Sequence, residues 1–514
     1  MTQRLILLAT LAALTACSKA ESSSAEHPLP DTRRPEPTTY YVDALRGSDE
    51  GTGTSIDGAW QSLARASQVK LQPGDQLLLR RGATFEGELE ISGTGTPGQR
   101  ILVGAYGEGE QPVVRGLDRS MYAVRIMNSS YLTLTDLHII NTGRERLAGR
   151  TGLKIECSDF GLSRSLTIDH VLVSDVNGSL VKAEGGGSGI LIVNGGRTIA
   201  SRFDSLTIQN CHIRDCARNA MIWSGYYDRR QWLPSTNTVV RGCLIEGVPG
   251  DGIVPIGCEH TLIEGNLMRL CPELLPMTEA AAGIWPWSCD DTVIQFNEVS
   301  GHKAPWDAQA YDCDFNCRGT VIQYNYSHDN YGGLVLVCDN GAERNYSLGN
   351  EAPVVRYNVS IGDGVRPRET RQGMFSPSVH IAGRVTKALL EHNIIVATPK
   401  PADNIDRTIV CSDSWDGCAD ETTLRRNIFC AQEPSRFEMT QSTRNTFDGN
   451  VYLGTYDALP ADARAATTCQ PFADMLHADP QLSPLMQRRE ACGEELVTVS
   501  REAIERLFSD CGLD

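Results

Sequence analysis

A short strand-like phrase recurs from about residue 165 to residue 454. It reads SLTIDHVLV, SLTIQNCHI, NTVVRGCLI, HTLIEGNLM, DTVIQFNEV, GTVIQYNYS, APVVRYNVS, KALLEHNII, TTLRRNIF and TFDGNVY. Aligned, these give one column: Val171, Cys211, Cys243, Asn266, Asn297, Asn325, Asn358, Asn393, Asn427 and Asn450, spaced 23 to 40 residues apart. Each phrase alternates apolar and polar residues, as a strand with one buried face must. A strand repeated at such intervals, with no helical period between, implies coils stacked about 4.8 Å apart. Asparagine at one turn position of every coil can bond its neighbours up and down the stack and satisfy buried backbone groups there. The sequence therefore predicts an all-β, single-stranded parallel β-helix, a solenoid.

A second column follows the Asn strands. DGIVPIGCE, AGIWPWSCD, AQAYDCD and GLVLVCD align on Cys258, Cys289, Cys313 and Cys338. Residues two and four positions earlier (Val254 and Ile256, Trp285 and Trp287, Gln309 and Tyr311, Leu334 and Leu336) share the cysteines' parity, so all are expected to face the core. Cysteines stacked one rung apart are too distant for the roughly 3.8 Å between Cβ atoms that a disulfide wants. They are read as small buried hydrophobes, and Cys469, Cys492 and Cys511 as the better disulfide candidates.

If the column cysteines face inward, their neighbours Glu259, Asp290, Asp314 and Asp339 face outward as a stripe of carboxylates, with Asp312 on the same face. Like charges about 5 Å apart repel by roughly 1 kcal/mol even in water, so a stripe selected only for folding tends to be broken up. Such a cluster suits glycoside hydrolysis. One carboxylate's charge raises its neighbour's pKa and makes an acid, while the partner serves as base or nucleophile. Asp312 and Asp314, about 6.5–7 Å apart along a strand, form the expected central pair, with Asp290, Asp339 and His328 assisting. Trp306 and Tyr331 are expected to stack a sugar ring, and His302, Lys303, Asp307 and Asp329 to bind substrate around them; Trp285 and Trp287 are assigned to the core. No cofactor is required, and Ca²⁺ held by carboxylate oxygens of adjacent coils is the alternative. Asp312-x-Asp314-x-Asn316 lacks the glycine an EF-hand loop needs.

The opening YYVD, a short helix near Ala59–Val69, and then PGDQLLLRRGATFEGELEIS and ILVGAYGEGEQPVVRG resemble the capping segment of the right-handed β-helix family that includes pectate lyases. That resemblance implies a right-handed parallel β-helix over residues 39–454 with an N-terminal cap helix, and residues 455–514 are read as a polar C-terminal cap over the last coil. GIWPWSCDDTVIQFNEV, GHKAPWDAQAYDCDFNC and YSHDNYGG resemble bacterial β-helix glycosidases of glycoside hydrolase family 141. The Asn-Thr-Asp, Gly-His-Gly and Arg-Ile-Lys motifs of polygalacturonases do not occur. At the start, an apolar run from Leu5 to Ala16 precedes Leu14-Thr15-Ala16-Cys17, which resembles the bacterial lipobox. It implies a signal peptide over residues 1–17, lipidation of Cys17, a flexible tether over residues 18–38 and attachment to the outer membrane of a Gram-negative cell.

A net charge of −17 argues against nucleic acid as a partner. The expected partner is a polysaccharide or oligosaccharide, met by a monomer whose membrane contact is the lipid alone. Three functions fit, in this order: a glycoside hydrolase; a polysaccharide lyase using Lys303, His302, His328 and Arg344 or calcium to neutralise a uronate; and a non-catalytic glycan binder.

Overall fold

The computed structural model describes residues 36–339, 347–367 and 375–514, so Cys17, most of the expected tether and Arg344 lie outside the described residues. Parallel strands stack in three sheets. One representative coil runs Leu162–Asp169 in the first sheet, Leu172–Val176 in the second and Ser188–Gly195 in the third, before Arg202–Gln209 returns to the first. The first sheet extends from Thr39–Val42 to Thr446–Asp448. Alternation decides which side faces in: Ile168 and Ile208 are buried in register, while Thr167 and Thr207 between them and their neighbours stay half-buried. The N-terminal helix is shorter than expected, Leu63–Ala66, and starts where the Ser62 hydroxyl accepts the Arg65 N–H at 3.1 Å.

The asparagine column is a continuous ladder. The Asn325 N–H and its Nδ2 both donate to Asn358 Oδ1 at 3.0 Å, while Nδ2 also donates to the Ile294 carbonyl at 2.9 Å. The pattern runs from Asn266 to Asn450 and ends on a carboxylate, where Asp462 Oδ2 accepts from Asn450 N at 2.9 Å and Nδ2 at 3.0 Å. The residue before each Asn turns the chain with positive φ. On four successive rungs it is bulky: Phe296, Tyr324, Tyr357 and His392 at +52° to +55°. Their left-handed backbone is strained. Their rings stack at 5.4, 5.2 and 4.9 Å, which offsets part of that cost.

The C-terminal residues do more than cap the last coil. Asp462 and Ala466 pair with the final strands at Phe447 and Val451. Beyond them a helix (Gln470–Ala478), an antiparallel hairpin (Met486–Ala491 with Glu494–Val499) and a second helix (Arg501–Asp510) lie along the outer face of the second sheet. Phe472, Leu482, Ile504 and Phe508 pack on Tyr326, Val359, Ile394 and Val451, and Ala491 and Leu496 reach back to Leu244 and Leu267. Cys469 and Cys511 form a disulfide, whereas Cys492 is an exposed free thiol. Cys258, Cys289, Cys313, Cys317 and Cys338 are buried and unpaired.

Candidate active site

The expected carboxylate stripe does not form, because the Cys-acid dipeptides belong to different faces. Glu259 pairs with Asp290, and Asp290 with Arg318, not with Asp314. In the third sheet Asp312 stands opposite Leu336 and Cys313 opposite Val337, which puts Asp314 beside Cys338 and one position out of step with Asp339. Asp290 is instead held by Arg229 at 2.7 Å, and Asp339, fully buried, accepts the Ser347 hydroxyl at 2.8 Å. Both carboxylates hold structure together. Tyr311 points into the core as expected, its hydroxyl bonded to the Asn297 and Tyr326 carbonyls. Asp312, Leu336 and His380 form a column on the outer face. The core assignments of Leu336 and Cys338 are therefore overturned, since the two pack with Ala382 apart from the main core, whereas Trp285 is buried in the main core cluster as expected.

Long loops cross the corner between the second and third sheets, cover that outer column and enclose a cavity of about 690 Å³. Trp306, Asp307, Gln309, Phe315, Arg366, Phe375, His380 and Trp415 are among its lining. Three carboxyl groups lie close enough here to feel one another's charge, and of them Asp307 lines the cavity. Burial raises the Asp307 pKa against the pull of Lys182, Arg366 and His380. Asp312, 3 % exposed, is raised well above the carboxylate range by burial and then by the charges of Asp307 and Asp314, and its Oδ1 has no hydrogen-bond partner among the described residues. Asp314 is raised to about 7 by burial, against the Cys338 thiol, which donates to its Oδ1 at 3.2 Å, and the Phe315 N–H at 2.6 Å.

The local backbone is specialised to hold this arrangement. Asp307 and Ala308 are consecutive left-handed residues, φ +57° and +62°. The next rung presses on them, and a Cβ on Gly332 would collide with the Asp307 carbonyl and Ala308. Arg366 donates to that same carbonyl at 2.6 Å and to the Phe375 carbonyl at 2.9 Å, pinning the loop from the far side. His380 lies between Phe375 and Trp415, each edge-on at 5.0 and 5.4 Å, and faces Asp413 at 3.8 Å. Strain held in place from two sides is characteristic of functional loops.

The other expected site residues scatter. Trp306 lines the cavity but is buried, its Nε1 bonded to the Met277 carbonyl at 2.8 Å. Tyr331 is half-buried and bonds Glu273 at 3.1 Å. His302 is wholly buried on the Gly250 carbonyl at 2.9 Å, and Lys303 is exposed outside the cavity lining. His328 sits on the second sheet between Asp329 and Glu298, and burial, which opposes its charge, is outweighed by those two partners, leaving its pKa at about 9. The Asp329 carboxylate is largely exposed. Arg366, Phe375, His380 and Trp415 were not found from the sequence. Of these only His380 left a trace, as a polar residue in the apolar strand SVHIAG.

Fold and site together define a right-handed parallel β-helix with an aromatic-walled cleft, lined by Asp307, beside a cluster of carboxyls on its third sheet. Residues 189–352 match a family model described as a right handed beta helix region. The chain is 26% identical over 534 aligned residues to lacto-N-biosidase of Bifidobacterium longum subsp. longum, covering 83% of this chain and 31% of that protein. It thus spans about a third of the length of the curated relative it matches. Among solved structures it is similar to the GH136 lacto-N-biosidase of Eubacterium ramulus, with TM-score 0.58 and 24% identity over 78% of this chain and 68% of that one. The selenomethionine derivative of that protein matches at TM-score 0.57.

Proposed function

We propose that this chain is a glycoside hydrolase and that Asp307 and Asp314 are its acid and base or nucleophile. The observation that carries this is the clustering of three carboxyls with raised pKa, Asp307 among them lining a cavity walled by aromatic rings. Coupled carboxyls in one low-dielectric site share protons, so near neutral pH one is protonated and the other ionised. The protonated carboxyl delivers its proton to the glycosidic oxygen as the bond to the anomeric carbon breaks. The ionised one attacks that carbon or takes a proton from the water that does. Arg366 and Lys182 steady the negative charge, and Trp415, Phe375 and Trp306 supply apolar faces for sugar rings. The named relatives favour glycans containing lacto-N-biose as the substrate class, in place of the family 141 likeness read from residues 283–333.

The test is hydrolysis of a chromogenic lacto-N-bioside by the purified protein. Asp307→Asn and Asp314→Asn should each lower kcat on the order of 10³-fold with the thermal transition nearly unchanged. Wild-type turnover in either variant would remove that residue from the mechanism. Lyase chemistry is disfavoured because the described residues assigned to it from the sequence are not gathered at the cavity: His302 is buried, and Lys303 and His328 lie elsewhere. Ultraviolet absorbance of an unsaturated uronate in the products would reverse that choice. Export and lipidation at Cys17 complete the proposal, and a Cys17→Ala variant that still fractionates with the outer membrane would count against them.

A further inference from the structure

A second hollow of about 700 Å³ lies beside the cleft, separated from it by Phe375, whose side chain lines both. It is lined by Asp403, Asn404, Asp406, Arg407, Glu433, Arg436, Glu438 and Asp457 among others. Beside the cleft a single strand, Ile428–Glu438, passes directly from the second sheet to the third, shifting register between Ala431 and Ser435, and its residues Glu433, Arg436 and Glu438 supply part of the hollow's floor.

That floor is furnished with planar polar groups held in fixed pairs. Arg436 bonds Asp406 at 2.8 Å, and Arg407 bonds Glu433 at 3.1 Å. The Thr408 hydroxyl fixes Asp406 Oδ1 at 2.9 Å, while Asp406 Oδ2 is buried with no partner among the described residues. Carboxylates and guanidinium groups oriented in this way bond the adjacent hydroxyls of a sugar, which can donate and accept in turn. Phe375 offers a ring at the junction. Strong binding of a polyanion is opposed by five acidic residues against two arginines. Because Phe375 lines both cavities, a glycan bound in the cleft can extend past its ring into the hollow.

We infer that this hollow is a second sugar-binding subsite, which takes the leaving-group side of a neutral oligosaccharide whose non-reducing end occupies the cleft. The inference rests on the hydrolase reading. A linear glycan laid along the axis meets one new rung about every 4.8 Å, and the two rungs past Phe375 place polar side chains along that path.

The experiment compares two substrates carrying the same non-reducing unit, an aryl glycoside and an oligosaccharide with further sugars on the leaving side. Glu438→Gln and Asn404→Ala should each raise KM for the oligosaccharide about 5- to 20-fold, as the loss of one or two hydrogen bonds implies. Neither should change kcat/KM for the aryl glycoside. Asn404→Trp, which fills the hollow, should do the same more strongly. Equal effects on both substrates, or none on either, overturn the subsite. If wild-type protein turns over neither substrate, the hydrolase reading fails by itself. Calorimetric titration with the oligosaccharide then decides the subsite: weaker binding by Asn404→Trp supports it, and unchanged binding removes it.

Discussion

At Asp312 chemistry and position part company. It is the most deeply buried of the three clustered carboxyls, and burial together with the charges of Asp307 and Asp314 favours its neutral form. An amide is a fair mimic of a neutral carboxylic acid. Asp312→Asn is therefore expected to keep turnover within about tenfold of wild type, where either neighbour's variant abolishes it. Cys338 has the opposite significance for its size. Its thiol stabilises the ionised form of Asp314, so Cys338→Ala should move the pH–rate limb governed by Asp314 upward from about 7, and Cys338→Ser should restore it. An unshifted profile in Cys338→Ala would make the thiol mere packing. From the sequence the acids in this segment were visible but their ranking was not. Asp312 and Asp314 stood out through the Asp-Cys-Asp spacing, whereas Asp307 acquires its importance from a left-handed backbone and a glycine one rung away.

Elements behave according to how repetitive their chemistry is. The Asn ladder was legible because the same side chain does the same task on every rung, and ladder order equals sequence order. The cysteine column was misaligned because Cys289-Asp290 and Cys313-Asp314 look alike in sequence yet pair with different partners, Arg318 in one case and the strand Val335–Asp339 in the other. Nothing in a dipeptide records which face it will join. Mid-ladder, Asn325→Ala removes donors and an acceptor shared with two rungs, and should destabilise the domain by about 2–4 kcal/mol in denaturant unfolding. The ladder's end responds to pH. Burial opposes the charge of Asp462, but the N–H groups of Asn450, Gly449 and Arg464 outweigh it and hold its pKa below the usual value. Its contribution is thus present above the unfolded pKa and lost as pH falls through the lowered folded one. Amide exchange at Asn450 should accelerate selectively at low pH, and in Asp462→Ala at any pH.

For the whole molecule, the tail and the coils are joined by a histidine whose charge state matters. His328 pairs with Glu298, and the other oxygen of Glu298 accepts the Val497 N–H of the tail hairpin at 2.6 Å. A folded-state pKa of about 9 against about 6.5 unfolded gives stability fully present below 6.5 and lost as pH rises through 9, on the order of 3 kcal/mol. Thermal melts should fall across that window, and His328→Gln should flatten the decline; an equal decline in the variant would place the effect elsewhere. The tail also sets an order of events in synthesis. Coils emerge from the ribosome one after another, each able to pair with the last, but the apolar flank formed by Leu244, Leu267, Val359 and Ile394 belongs to a surface whose cover is made last. Until the segment from Phe472 to Phe508 has been translated, that flank is not fully covered and stays open to other chains. Closing the Cys469–Cys511 bridge is thus an end-of-line inspection, which a product missing its final residues cannot pass.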